Sequence, residues 1–149
     1  MEHLLYDKFK DNSFKRKIRV IVHYTGSPNV NGSLEWLNKR KGGKGSIGYN
    51  IIIDQSHEVF YLAKPTEWFH NTGLGSRYDK DTFSIAFTGN GIDDITDAMV
   101  KDFRNELENL KTIFNVYEIR CHRECNIKKP DFSPEEWEIL KRRIGIWII

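Results

Sequence analysis

The sequence is short of most features that would fix its class at a glance. It has two cysteines in 149 residues, too few for the disulfide framework that staples small secreted domains. Cys121 and Cys125 lie close together and are expected to be free thiols in a reducing compartment. No apolar run approaches the roughly 20 residues that span a bilayer. The apolar tail from Ile144 to Ile149 is only six residues long and is expected to pack on the body of the protein, so no membrane insertion is expected. Charge of one sign is also lacking: 23 Lys and Arg against 21 Asp and Glu leave a net +2, interspersed along the chain. That balance argues against a nucleic-acid partner, which calls for a strongly basic face. There is no internal repeat or low-complexity linker. The first residues, Met-Glu-His-Leu-Leu-Tyr-Asp-Lys, carry charge where a secretory leader needs an apolar core. Synthesis and folding in the cytoplasm are therefore expected. A chain of this length suits one compact domain over 1–149, large enough to bury a core without covalent or metal staples.

What is present is a pattern of alternating elements. Residues 3–10 suggest a short helix. Ile18 to Thr25 is dense in Val and Ile and reads as a central strand. Ser33 is a plausible N-cap for a helix reaching Arg40, and "KGGKGSIG" (Lys41 to Gly48) reads as a loop. "YNIIIDQSHEVFYLA" is two apolar runs around Asp54-Gln55-Ser56-His57, the signature of a hairpin. Pro65 to Asp81 is a long polar loop, of a kind that often carries function. "TFSIAFT" (Thr82 to Thr88) is a second buried strand. From about Asp94 to Asn115, Ile95, Met99, Phe103, Leu107, Leu110 and Phe114 form one face at helical period. Asp93, Asp94 and Asp97 suit its positive end. "YEIRCH" (Tyr117 to His122) is a further strand, and Ser133-Pro134-Glu135-Glu136 is a capping box opening the last helix. The whole predicts an α/β fold, a central mixed sheet flanked by helices.

Five histidines are the main candidates for chemistry. His3, near the terminus, and His57, in the hairpin turn, read as solvated. His23 and His122 each fall near the carboxyl end of a strand, where α/β sheets build their sites. His70 lies in the long loop. Two neutral imidazoles with a thiolate or carboxylate, and one position left open, are what a hydrolytic zinc site requires. Asp131, Cys125 and Glu124 are candidates for the third ligand, and spacing does not choose among them.

"IVHYTGSP", "SIGYNIIIDQSHEVF", "WFHNTG", "TFSIAFTGN" and "RCHRECNIKKPDFSP" follow one another in an order that resembles the type-2 N-acetylmuramoyl-L-alanine amidases. That zinc family includes phage lysozyme-amidases and peptidoglycan recognition proteins, and the resemblance covers about residues 17–140. It implies zinc held by His23, His122 and, through "KPD", Asp131, with Cys125 as the rival third ligand. It implies that Lys129 stabilises the oxyanion, that Tyr49 in "IGYN" carries the proton, and that His70 touches substrate. Trp68 and Phe69 would either line a glycopeptide groove or hold the loop down. Some members carry a glutamate base at the position matching Thr88; its absence here aligns the chain with the tyrosine-dependent branch.

The activity so implied is hydrolysis of the amide between N-acetylmuramic acid and L-alanine. The substrate would be peptidoglycan or soluble muropeptides, and the protein a monomer. It would serve as a phage or prophage lysin acting on the wall after release, or as an enzyme of recycled wall fragments. The alternative is a non-catalytic peptidoglycan-binding module, since some relatives keep the fold and lose the metal. A regulatory partner role, as in some phage members, finds no signal in the residues.

Overall fold

A computed structural model describes residues 17–30, 49–62, 81–125 and 132–145, with the side chain of Cys125 excepted. The expected helices at 3–10 and 33–40, the loop at 41–48, the long loop up to residue 80 and the last four residues lie outside this set.

Five strands form one mixed sheet: β1 (Lys17–Tyr24), β2 (Ile51–Ile53), β3 (Val59–Tyr61), β4 (Thr82–Phe87) and β5 (Asn115–Cys121), in the order β3-β2-β4-β1-β5. β1 runs parallel to both neighbours, β2 is parallel to β4, and β2 and β3 form the expected antiparallel hairpin. β4 is buried at every position, as a strand covered on both faces must be. This explains why its sequence reads as a continuous apolar run rather than an alternating one. In the hairpin turn, the Asp54 carboxylate accepts from the Ser56 amide at 3.1 Å. His57 takes a left-handed conformation (φ 71°) and is exposed, as expected.

One face of the sheet carries the main core. Ile18, Val20 and Val22 of β1, Phe83, Ile85 and Phe87 of β4, and Ile119 and Cys121 of β5 pack there against two helices, α1 (Asp97–Ile113) and, later in the chain, α3 (Pro134–Ile144). Met99, Phe103, Leu107 and Leu110 supply the α1 stripe, and Phe103 stacks on Phe87 at 5.6 Å. Trp137, Leu140 and Ile144 supply that of α3. Two arginines tie the C-terminal end of α3 to α1 and its approach: Arg104 donates to the carbonyls of Ile144 and Arg143, and Arg143 donates to the Ile95 carbonyl. No described helix is long and apolar enough to cross a membrane.

Local hydrogen bonds move the element ends away from the periodic pattern. α1 starts at Asp97 rather than Asp94 because Thr96 caps it, accepting from the Met99 amide at 3.2 Å. Ile92–Asp94 instead form a 3-10 turn, and the Asp94 carboxylate accepts from the Asn90 amide at 2.8 Å. Gly89, with φ +119°, lets the chain pass there, since a Cβ would lie 2.6 Å from that of Asp94. β5 stops at Cys121, and His122 opens a single helical turn, α2 (His122–Cys125), instead of ending the strand. α3 has the predicted capping box between Ser133 and Glu136, and the second Glu136 oxygen accepts from the Ile92 amide at 2.9 Å.

Strand alternation puts Arg19, Ile21 and His23 of β1 and Glu118 and Arg120 of β5 on the other face. Glu118 accepts from Arg19 Nε and from Arg120 Nε, each at 2.7 Å. Burial pushes its carboxyl up, but the hydrogen bonds and charges of the two arginines outweigh that and hold it below the usual glutamate range. A depressed folded pKa means stability that is present above the unfolded pKa and lost as pH falls through the folded one. Glu118→Gln is therefore expected to flatten the loss of stability below about pH 4.3, the ordinary glutamate value. Urea denaturation across pH 3–6 at low salt checks this, and wild-type and variant curves of equal slope in acid would refute it.

Candidate metal centre

The carboxyl ends of β1 and β5 meet at two histidines. β1 and β5 pair Val22 with Cys121, so the next step along each chain sets His23 beside His122. A bulge creates this match. Ile18 pairs with Val116, but Arg19 pairs with Glu118, leaving Tyr117 as the extra residue. Without that insertion the same strands would set Cys121 beside His23. Tyr117 turns outward, 45% exposed, with the Arg19 guanidinium 5.5 Å over its ring.

The two imidazole rings are 4.7 Å apart, inclined at 75°. Bonds of about 2.0–2.1 Å from each ring to one tetrahedral ion place the ring centres roughly 5 Å apart. The pair therefore fits a shared zinc ion. His23 is buried at 2% exposure, and His122 is partly buried at the start of α2. Zinc binds the neutral form of imidazole.

Tyr49 stands just ahead of Asn50 and β2, half-buried, its ring 5.2 Å from that of His23. What fixes it there is Asn50, which is fully buried. The Asn50 amide donates to the Ser84 carbonyl at 2.9 Å, and its side-chain oxygen accepts from the Ser84 amide at 2.9 Å. This pair of hydrogen bonds extends the pairing of the short β2 toward Tyr49. Ser84, also fully buried, brings its Oγ to 3.4 Å from His23 Nε2.

Of the residues nominated from sequence, His23, His122 and Tyr49 come together. Lys129, Asp131, His70, Trp68 and Phe69, and the Cys125 side chain, lie outside the described residues. Glu124 is engaged elsewhere: one oxygen accepts from the Cys121 amide at 3.2 Å and the other faces Arg120 at 3.6 Å. Among the described residues no three His, Cys, Asp or Glu side chains are grouped closely enough to hold a metal. Thr88, at the end of β4, is buried and its hydroxyl accepts from the Gln55 amide at 3.1 Å, so it ties β4 to the hairpin turn. Ser84 and Asn50 were not singled out from sequence. The available signal was a polar side chain inside an apolar strand, which must find a partner when buried.

Comparison with known proteins finds the same fold in solved structures. Solved structures with the same fold include the ectodomain of the Drosophila transmembrane receptor PGRP-LCa, with a TM-score of 0.71 at 17% identity over 91% of this chain and 86% of that one. N-acetylmuramoyl-L-alanine amidase LysC from Clostridium intestinale gives 0.70 at 16% identity, over 89% and 88% of the two chains. The Ph2119 endolysin from a Thermus scotoductus bacteriophage gives 0.64 at 16% identity, over 89% and 87%. No curated protein matches the sequence. The family model described as N-acetylmuramoyl-L-alanine amidase matches residues 15–134, most of the 149, and the chain belongs to that family.

Proposed function

We infer that this protein, acting as one domain over 1–149 and as a monomer, hydrolyses the amide between the lactyl group of N-acetylmuramic acid and L-alanine in peptidoglycan. The observation that carries the reading is the pair of imidazoles 4.7 Å apart at the mouth of the sheet, in a chain of this family. His23, His122 and Asp131 would hold zinc, with one position left for water. Zinc supplies, when bound, a Lewis acid that acidifies water and polarises an amide carbonyl.

The chain's own groups do the rest. The Tyr49 phenol, packed beside His23, holds a proton where the departing amine needs one. The Lys129 ammonium opposes the negative charge that develops on the carbonyl oxygen. His70 contacts the substrate. The likeness of fold to a phage endolysin and a clostridial amidase supports a lysin; such a protein would be made in the cytoplasm and would degrade the wall after release. Use on recycled muropeptides has the same chemistry. Nucleic acid and membrane insertion have no part in this reading.

The likeness to a receptor ectodomain supports a second reading, a binding module without turnover. Digestion of purified peptidoglycan separates the two. Cleavage is expected to release L-alanine amino termini with no new reducing sugar ends; zinc-supplemented protein that binds the wall and releases neither leaves the binding module. Asp131→Ala is expected to abolish zinc binding and turnover while Cys125→Ser keeps both, as read by metal analysis of the purified variants. The reverse outcome assigns the third ligand to Cys125. Tyr49→Phe is expected to retain zinc and lose about 10²–10⁴ in kcat, the range for a positioned proton carrier; turnover within twofold of wild type would take Tyr49 out of the mechanism.

A further inference from the structure

The contact between Ser84 and His23 has a consequence for how the site is assembled. A metal-binding imidazole has one nitrogen for the ion and one for the protein, and the hydrogen bond at the second fixes the tautomer and the ring plane. In His23, Nε2 lies 3.4 Å from Ser84 Oγ. The hydroxyl is on the same sheet face as His23, between Phe83 and Ile85, which point to the helices. Its backbone amide and carbonyl are both bonded to Asn50, which accepts from the one and donates to the other. Ser84 and Asn50 are both fully buried, and the hydroxyl is carried by the buried strand β4.

We propose that Ser84 is a positioning residue: its hydroxyl accepts the Nε2–H of His23 and so presents Nδ1 of that ring to the metal. This rests on the reading that His23 is a zinc ligand, but the tautomer part does not need the ion. The Ser84 hydroxyl is both donor and acceptor, so the alternative arrangement, Oγ–H donating to an Nε2 lone pair, is chemically available. That arrangement would protonate Nδ1 and block it as a ligand. Asn50 then has two tasks along one segment, since it fixes Ser84 through its amide groups and Tyr49 through the adjoining peptide.

The experiment is ¹⁵N NMR of the five imidazoles in metal-free protein at about pH 8, with His23 assigned by its loss in His23→Gln, alongside equilibrium titration with Zn²⁺. The wild type is expected to show His23 as the Nε2–H tautomer. Ser84→Ala is expected to lose that preference and to bind Zn²⁺ about 10–100-fold more weakly, the range for loss of a hydrogen-bond partner behind a ligand. An Nδ1–H tautomer in the wild type overturns the proposal. So does a Ser84→Ala protein whose tautomer and zinc affinity both match wild type. If circular dichroism shows that Ser84→Ala does not fold, the wild-type tautomer alone decides. A wild type with the Nε2–H tautomer, lost on Ser84→Ala, that takes up no Zn²⁺ upholds the hydrogen bond and contradicts the metal reading instead.

Discussion

Everything this fold does at its mouth depends on the pairing of β1 with β5. Side chains on a strand alternate between faces, so slipping that pairing by one residue would bring a different side chain of β5 alongside His23. The pairing is held from two sides. Val20, Val22, Ile119 and Cys121 are locked into the helix-covered core, and Glu118 is held between Arg19 and Arg120 on the opposite face. The bulge at Tyr117 sets the phase: it replaces a cysteine with a histidine as the neighbour of His23. Bulges near sites commonly re-aim one side chain in this way. Here one inserted residue changes the chemical identity of the pair.

The rest of the molecule keeps that pairing rigid. α1 and α3 cover one face of the sheet and are joined to each other through Arg104 and Arg143. The loops that follow β1 and β4 are tied together: the Gly26 amide donates to the Gly89 carbonyl at 2.8 Å, and the Gly89 amide to that of Ser27 at 2.6 Å. The segment leaving His23 is thus fastened to the segment leaving β4. On the opposite face a small cluster of Val30, Ile52 and Ala86 packs with Tyr49. On this face the buried Asn50 side chain accepts from the Ser84 amide, and the buried Ser84 hydroxyl lies against His23.

The fold was legible in the sequence wherever burial sets a period. The β-branched run of β1, the apolar run of β4 and the stripe of α1 each follow from one-sided or two-sided packing. Their ends were less legible, because a cap such as Thr96 or a turn such as that at Asp94 is decided by single hydrogen bonds. His23 and His122 were readable as strand-end histidines. That they are neighbours was not, since it depends on an inserted residue visible only when two strands 99 positions apart pair at Arg19 and Glu118. Ser84 and Asn50 went unread for the same reason. Neither has a local signature, and they find each other across 34 positions. The choice between Asp131 and Cys125 came from the resemblance of "KPD" to the family and not from spacing.

Equilibrium titration of metal-free protein with Zn²⁺, comparing wild type with His23→Ala and His122→Ala, shows whether the two histidines share one ion. Wild type should bind one equivalent tightly. Each substitution alone should weaken it by more than the roughly 10–100-fold expected for losing only a supporting hydrogen-bond partner. A His122→Ala protein that binds Zn²⁺ as tightly as wild type, or a wild type that binds none, would contradict that sharing.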